Sequence, residues 1–286
     1  MSDLDLRVLL ALERLELNLF RGRSPIDDRP RIFGGQVIAQ ALLAAYETVT
    51  DRVCHSLHAY FIRPGDPRIP IIYEVDRARD GASFTTRRVI AIQNGRQIFN
   101  MAASFQQPEG GVEHQDAMPQ GLPGPDGFPT LAELETNYLA KQAPPRSELR
   151  GPDPFDMRFV EPSPEDFLQK PQPARQRAWL RARCELGDDP RWHQVALAYA
   201  SDLWFLAAGL QPHQIHWAMP NVMIASLDHA IWFHRPSDMT EWHLYDMQSP
   251  SASGARGFNL GAVFSPDGRL IASTAQEGLM RISAAD

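Results

Sequence analysis

The heptapeptide His58-Ala59-Tyr60-Phe61-Ile62-Arg63-Pro64 returns later in the chain as Ala230-Ile231-Trp232-Phe233-His234-Arg235-Pro236, with aromatic, Phe, Arg and Pro in the same order. Further matches follow at nearly the same spacing: Ala82-Ser83 with Ala252-Ser253, and Gly95-Arg96 and Ile98 with Gly268-Arg269 and Ile271. Several matches in one register argue for duplication, so the chain folds as two similar units. Its 286 residues, 43% of them hydrophobic, suffice for two ordinary cores.

Each half shows the same succession of hydrophobic periods. In the first, Gly34-Gly35 precedes QVIAQALLAAYETV, whose small and apolar residues suit a helix buried on most sides; its counterpart is HQVALAYASDLWFLAAGL, residues 193–210. Segments rich in β-branched and aromatic residues follow each helix, at 55–63, 70–78, 83–93 and 96–106, then at 223–234, 241–248, 256–265 and 269–277. Asn94-Gly95 and Pro266-Asp267-Gly268 are hairpin signals between the last two strands of each half. A buried helix wrapped by an antiparallel sheet, occurring twice, is an α+β architecture.

These boundaries predict an N-terminal domain over 1–107, a Pro-rich linker over 108–190 and a C-terminal domain over 191–286. The linker holds Gly121-Leu122-Pro123-Gly124-Pro125-Asp126-Gly127 and Pro144-Pro145, with local helix expected around 130–141. So long a connection is expected to pack over the domains. The first twenty residues, MSDLDLRVLLALERLELNLF, interrupt their apolar positions with Asp3, Asp5, Arg7, Glu13, Arg14 and Glu16. They predict an amphipathic helix and no signal-peptide core.

Composition removes several function classes. The 28 basic and 35 acidic residues leave a net charge of −7, and the basic residues are scattered, which argues against a nucleic-acid partner. No run of about 18 apolar residues offers a membrane span. Two widely separated cysteines, Cys54 and Cys184, suggest reduced thiols and a cytoplasmic setting, and the terminal Ser-Ala-Ala-Asp is no peroxisomal address. Gly81-Ala82-Ser83-Phe84-Thr85 is not a hydrolase nucleophile elbow, and no phosphate-binding glycine loop occurs. A strand would send His55 and His58 to opposite faces, which spoils a zinc site with Cys54.

The second half holds the polar residues that stand out. Asp202 lies in the apolar stretch expected to be the central helix, where a carboxylate is costly unless hydrogen-bonded or functional. Taken alone, it is either a structural partner, as a cap or beside a histidine, or a reacting group. Ser226 and Asp228 alternate along one expected strand and should share a face with Ala230 and Trp232. Gln276 falls near the end of the last strand, and pattern by itself does not single it out.

A series of segments along the chain resembles the bacterial acyl-CoA thioesterase II family, which has peroxisomal relatives. The segments are Leu19-Phe20-Arg21-Gly22, Phe33-Gly34-Gly35-Gln36, His55 to Gly65, Arg158-Phe159-Val160-Glu161-Pro162, Leu227-Asp228-His229-Ala230, Trp232 to Pro236, Ser251 to Gly257, and Gln276-Glu277-Gly278. They span almost the whole chain in order. The resemblance implies a double hotdog fold and hydrolysis of fatty acyl-CoA to free acid and CoA, without metal or organic cofactor.

By the same resemblance, the catalytic set falls on Asp202, Ser226 and Gln276, with Ser226 standing where bacterial relatives carry Thr. Water attack assisted by Asp202 is the implied route, with a covalent anhydride on Asp202 as the alternative. Trp204, Phe205 and Trp232 are candidates to line an acyl tunnel, or are core aromatics. Arg63, Arg87, Arg88, Arg235 and Arg256 are candidates by charge for the CoA phosphates, with Arg256 the one expected to bind substrate. The echoed Arg63 and Arg235 lean structural. Hotdog scaffolds also host enoyl-thioester hydratases, for which His193 is the nearest helical histidine to Asp202, and could serve as acyl-CoA-binding modules. A homodimer or tetramer is expected by family analogy.

Overall fold

In the computed structural model the described residues are 5–25, 30–130, 133–134, 154–161, 170–215, 219 and 221–283. The first half runs α1 (Leu6–Leu10), β1 (Leu12–Glu16), β2 (Leu19–Gly22), α2 (Gly34–Tyr46), β3 (Val53–Phe61), β4 (Ile71–Asp80), β5 (Phe84–Gln93) and β6 (Arg96–Gln106). The second runs β7 (Phe155–Phe159), β8 (Arg175–Ala182), α3 (Pro190–Ala200), α4 (Ala207–Leu210), β9 (Val222–Ser226), β10 (Asp228–Phe233), β11 (His243–Ser253), β12 (Arg256–Phe264) and β13 (Leu270–Ile282).

The strands form one antiparallel sheet in the order β1-β2-β4-β5-β6-β3-β10-β13-β12-β11-β8-β7, with β9 added to β13. Read outward from its middle, β3-β6-β5-β4-β2 mirrors β10-β13-β12-β11-β8, as duplication requires. The two copies meet where β3 and β10 pair antiparallel, with His58 opposite Ala230. This is the double hotdog arrangement of the α+β class.

Repeated residues do repeated work. The backbone N–H groups of Arg63 and Arg235 donate to the carbonyls of Ile98 and Ile271. Their guanidinium groups donate to Gln97 O at 2.7 Å and Leu270 O at 3.0 Å. These two arginines tie strand ends together, which explains why both copies kept them. Asn94 and Gly95, at φ 48° and 70°, take the left-handed conformation that closes the β5–β6 hairpin.

Helix α2 lies against β4, β5 and β6 and touches α3, while α4 packs on β8, β11 and β12. Every α2 residue from Gly35 to Tyr46 is buried. Its alanines permit this close approach, while Ile38 and Leu42 each contribute roughly 1.5–3 kcal/mol by burial. Tyr46 and Gln194 link the helices by a hydrogen bond between their side chains. The Gln194 amide also donates to Cys54 O at 2.9 Å. Cys54 and Cys184 are both free thiols.

Three expectations differ from the structure. The N-terminal helix stops at Leu10, and Leu12–Glu16 forms a hairpin strand with β2, clasped by an ion pair of Arg21 and Glu13 at 2.5 Å. An exposed edge strand tolerates the charges of Leu12–Glu16, so their spacing imitates an amphipathic helix. The 108–190 segment contributes β7 and β8, which pair with each other and with β11 as β1 and β2 do with β4. Phe155, Met157 and Phe159 alternate inward along β7, too short a signal to stand out in a Pro-rich segment. The helix expected around 130–141 lies largely outside the described residues.

The third difference is in the second half's helix, expected over 193–210. It ends at Ala200, because Ser201 turns its hydroxyl back onto Ala198 O at 2.9 Å and Trp204 adopts a left-handed φ of 60°. The chain resumes as the short α4 after this turn. Among the described residues, no helix is long and apolar enough to cross a membrane.

Candidate active site

The turn after α3 presents Asp202. Two buried partners hold that turn: Tyr245 from β11 donates its hydroxyl to Ser201 O at 2.8 Å, and His229 from β10 lies 2.9 Å from Ser201 Oγ. Burial drives the His229 pKa down to about 3, so the ring is neutral and acts as a fixed dipole.

From this turn the Asp202 carboxylate meets three donors. Gln276 Nε2 donates to Oδ1 at 2.7 Å, and Ser226 Oγ donates to the same oxygen at 3.3 Å. The third donor is the backbone N–H of Gly35, from the first turn of the other half's helix. A Cβ on Gly34 would fall 2.5 Å from Asp202 Oδ2, and one on Gly35 would fall 2.4 Å from Tyr199 O. The Gly34-Gly35 pair is therefore what lets α2 begin against this carboxylate. The positive end of a helix from one copy faces the acid of the other.

Desolvation pushes the Asp202 pKa up to about 6, against the opposing pull of Gln276, Ser226 and Gly35. A carboxylate that ionises near neutrality is suited to take a proton during catalysis.

Strand phase brings Gln276 and Ser226 here. On β13, Thr274, Gln276 and Gly278 point inward, and Gln276 is completely buried. Ser226 ends β9 opposite Gly278. The single strand expected over 223–234 is broken at Leu227, whose N–H goes to Glu277 O while its carbonyl accepts from Phe61. That hand-over shifts the alternation by one residue, so beyond it His229, Ile231 and Phe233 face inward. Ser226 thus reaches Asp202. Trp232, expected on its face, stands on the outer sheet surface, 37% exposed and edge-on to His58. Asp228 is not part of the cluster; it accepts from the N–H of Glu277 at 2.6 Å.

The other candidates divide. Trp204 and Phe205 follow Asp202 in the turn and are buried, Trp204 against Phe159 and Phe205 against Tyr245 and His229. Arg256 is half-exposed beside the end of β13, with Nε 2.8 Å from Glu277 Oε1. Arg87 is no phosphate ligand, being buried and bonded to Thr48, Arg79, Thr86 and Asp80. His193 uses its two ring nitrogens on Gly187 O and Met239 N, at the far end of α3 from Asp202.

Over 99% of its own length, the chain is 41% identical to acyl-CoA thioesterase 2 of Haemophilus influenzae, covering 100% of that protein. The chain belongs to the acyl-CoA thioesterase family. The family description "Acyl-CoA thioesterase" matches residues 156–279, and "Acyl-CoA thioesterase N-terminal domain" matches residues 23–106. The first of these spans starts within β7.

The thioesterase resembles in structure an acyl-CoA thioesterase II from Mycobacterium marinum, with TM-score 0.80, 41% identity and coverage of 98% of this chain and 99% of that one. A hotdog-fold protein from Alicyclobacillus acidocaldarius superposes with TM-score 0.77 at 20% identity, covering 97% of this chain and 98% of that one, a likeness of fold alone. The thioesterase is thus an enzyme of the acyl-CoA hydrolase class on a double hotdog scaffold. The α2 start at Gly34-Gly35 belongs to the cluster by geometry. Sequence marked that pair as a helix entry and as part of a segment carrying the resemblance, but not as a neighbour of Asp202, because contact between the two copies is a tertiary fact.

Proposed function

We propose that the thioesterase hydrolyses fatty acyl-CoA by direct attack of a water that Asp202 activates and that Ser226 and Gln276 help to hold in line. The observation that carries this reading is the convergence of Gln276 Nε2 and Ser226 Oγ on Asp202 Oδ1, at 2.7 and 3.3 Å. Asp202, with a pKa of about 6, accepts a proton from the water as its oxygen bonds to the thioester carbon. The carbon–sulfur bond then breaks, and CoA leaves as a thiol after taking up a proton. The N-terminal end of α2 supplies favourable potential for the developing oxyanion.

Trp204 and Phe205, beside Asp202, are the aromatics this reading assigns to the acyl chain. Arg256, with much of its guanidinium in solvent, is the residue assigned to the CoA phosphates. Tyr60, Ile90 and Trp232 leave apolar surface on the outer sheet face, which supports assembly into a homodimer or tetramer. The two free thiols support a cytoplasmic setting.

The test is release of free thiol from decanoyl- and palmitoyl-CoA, with Gln276→Ala expected to lower kcat by about 100-fold or more. Crotonyl-CoA losing its enoyl absorbance without releasing thiol would overturn the reading in favour of hydration.

A further inference from the structure

Beside the Asp202 cluster lies a second polar feature that hydrolysis of an unsubstituted chain does not use. Asn259 on β12 is directly opposite Gln276 on β13 and is completely buried. Both of its amide atoms, Nδ2 and Oδ1, lack a partner among the described residues, as does Gln276 Oε1. A buried amide with no hydrogen bond costs roughly 1–3 kcal/mol, so three such atoms on one cross-strand pair call for a ligand.

The duplication shows what this position looks like when it serves structure alone. Arg87 stands opposite Ala103 in the first half as Asn259 stands opposite Gln276 in the second. Arg87 fills its space, and its guanidinium is engaged by Thr48, Arg79, Thr86 and Asp80. The second half has a shorter residue there, with glycine above it. A Cβ on Gly209 would lie 3.5 Å from Asn259 Oδ1 and 3.0 Å from Ser249 Oγ.

We propose that Asn259, together with Gln276 Oε1, is a specificity-determining site for a hydroxyl group on the second or third carbon of the acyl chain. The donor and acceptor pattern selects the ligand. Asn259 Nδ2 needs an acceptor, while Gln276 Oε1 and Asn259 Oδ1 need a donor. A hydroxyl supplies an acceptor for Nδ2 and a donor for one of the two oxygens, a keto oxygen only the acceptor, and an unsubstituted methylene neither. Position follows from the Gln276 amide. Its nitrogen is held 2.7 Å from Asp202 Oδ1, which keeps Oε1, on the same amide carbon, near that carboxylate and so near the first carbons of a chain whose carbonyl is attacked there. The inference rests on the thioester carbon being attacked at Asp202.

The experiment compares decanoyl-CoA with 2-hydroxydecanoyl- and 3-hydroxydecanoyl-CoA in the intact enzyme and in Asn259→Leu, which keeps the volume and removes the amide. The intact enzyme is expected to favour one hydroxylated substrate in kcat/KM. In N259L the ratio of hydroxylated to plain substrate should fall by at least about tenfold, since a site built to bond a hydroxyl discriminates strongly. N259L should also unfold at a higher temperature, because an uncompensated amide has been removed from the interior.

An unchanged ratio would overturn the inference. So would an equal fall for plain and hydroxylated chains, which would make Asn259 a positioning residue for Gln276. If N259L does not fold, Asn259→Ala carries the same comparison. Absence of thiol release from every substrate by the intact enzyme would instead remove the hydrolytic reading beneath it.

Discussion

Replacing Asp202 by Asn separates the catalytic role proposed for this carboxylate from its effect on stability. Its pKa rises from 3.8 to about 6 on folding, chiefly through desolvation. The folded protein therefore holds this proton more tightly than the unfolded chain. Between about pH 4 and 6 the native state binds more protons, so this group's contribution to stability falls as pH rises through that window. Roughly two pH units at 1.36 kcal/mol each make the ionised carboxylate unfavourable by about 3 kcal/mol at pH 8.

In D202N the amide oxygen still accepts from Gln276 and Ser226, but its nitrogen opposes the Gly35 N–H, at a cost of about 1 kcal/mol. D202N should thus be less stable than the parent by about 1 kcal/mol at pH 4 and more stable by about 2 kcal/mol at pH 8. Urea unfolding of both proteins across pH 4 to 8 measures this, and thiol release at pH 8 should show kcat lowered by about 100-fold or more. A stability difference that stays flat with pH would refute the desolvation argument. Parental kcat in D202N would refute the role in water activation.

In the parent enzyme, kcat/KM should fall about tenfold per pH unit below about pH 6, as Asp202 takes up its proton. Ser226→Ala removes one donor from that carboxylate and should move this acid limb to higher pH, whereas Ser226→Thr keeps the hydroxyl and should leave the limb in place. Gly34→Ala places a methyl 2.5 Å from Asp202 Oδ2 and should lower kcat by about 10- to 100-fold, with a near-parental circular dichroism spectrum. Arg87→Met strips the Thr48 hydroxyl and the carbonyls of Thr48, Arg79 and Thr86 of their donor and should cost about 2–4 kcal/mol in urea unfolding, with kcat per folded molecule unaltered.

The echo of residues 58–64 at 230–236 was enough to establish two copies of one unit, and hydrophobic period was enough to find a helix and four strands in each. Those signals are local: alternation and turn chemistry act over a few residues, so they can be read one segment at a time. Asp202 was conspicuous for a related reason, as a charge in an apolar stretch. Gln276 and Ser226 carried no such mark, and resemblance alone selected them.

What sequence left undecided depended on contacts between distant segments. The helix stops before Asp202 because Tyr245, His229 and the left-handed Trp204 hold the turn, and no propensity within residues 193–210 encodes those partners. The phase slip at Leu227 arises because its two backbone groups bond to different strands, β13 and β3. That slip turns Ser226 inward and leaves Trp232 outside. β7 and β8 extend the second half of the sheet from the edge of β11, a pairing that a Pro-rich composition could not reveal. The meeting of Gly35 with Asp202 joins the helix start of one copy to the acid of the other. The duplicated sequence specifies each partner separately, and only docking of the two halves decides that they touch.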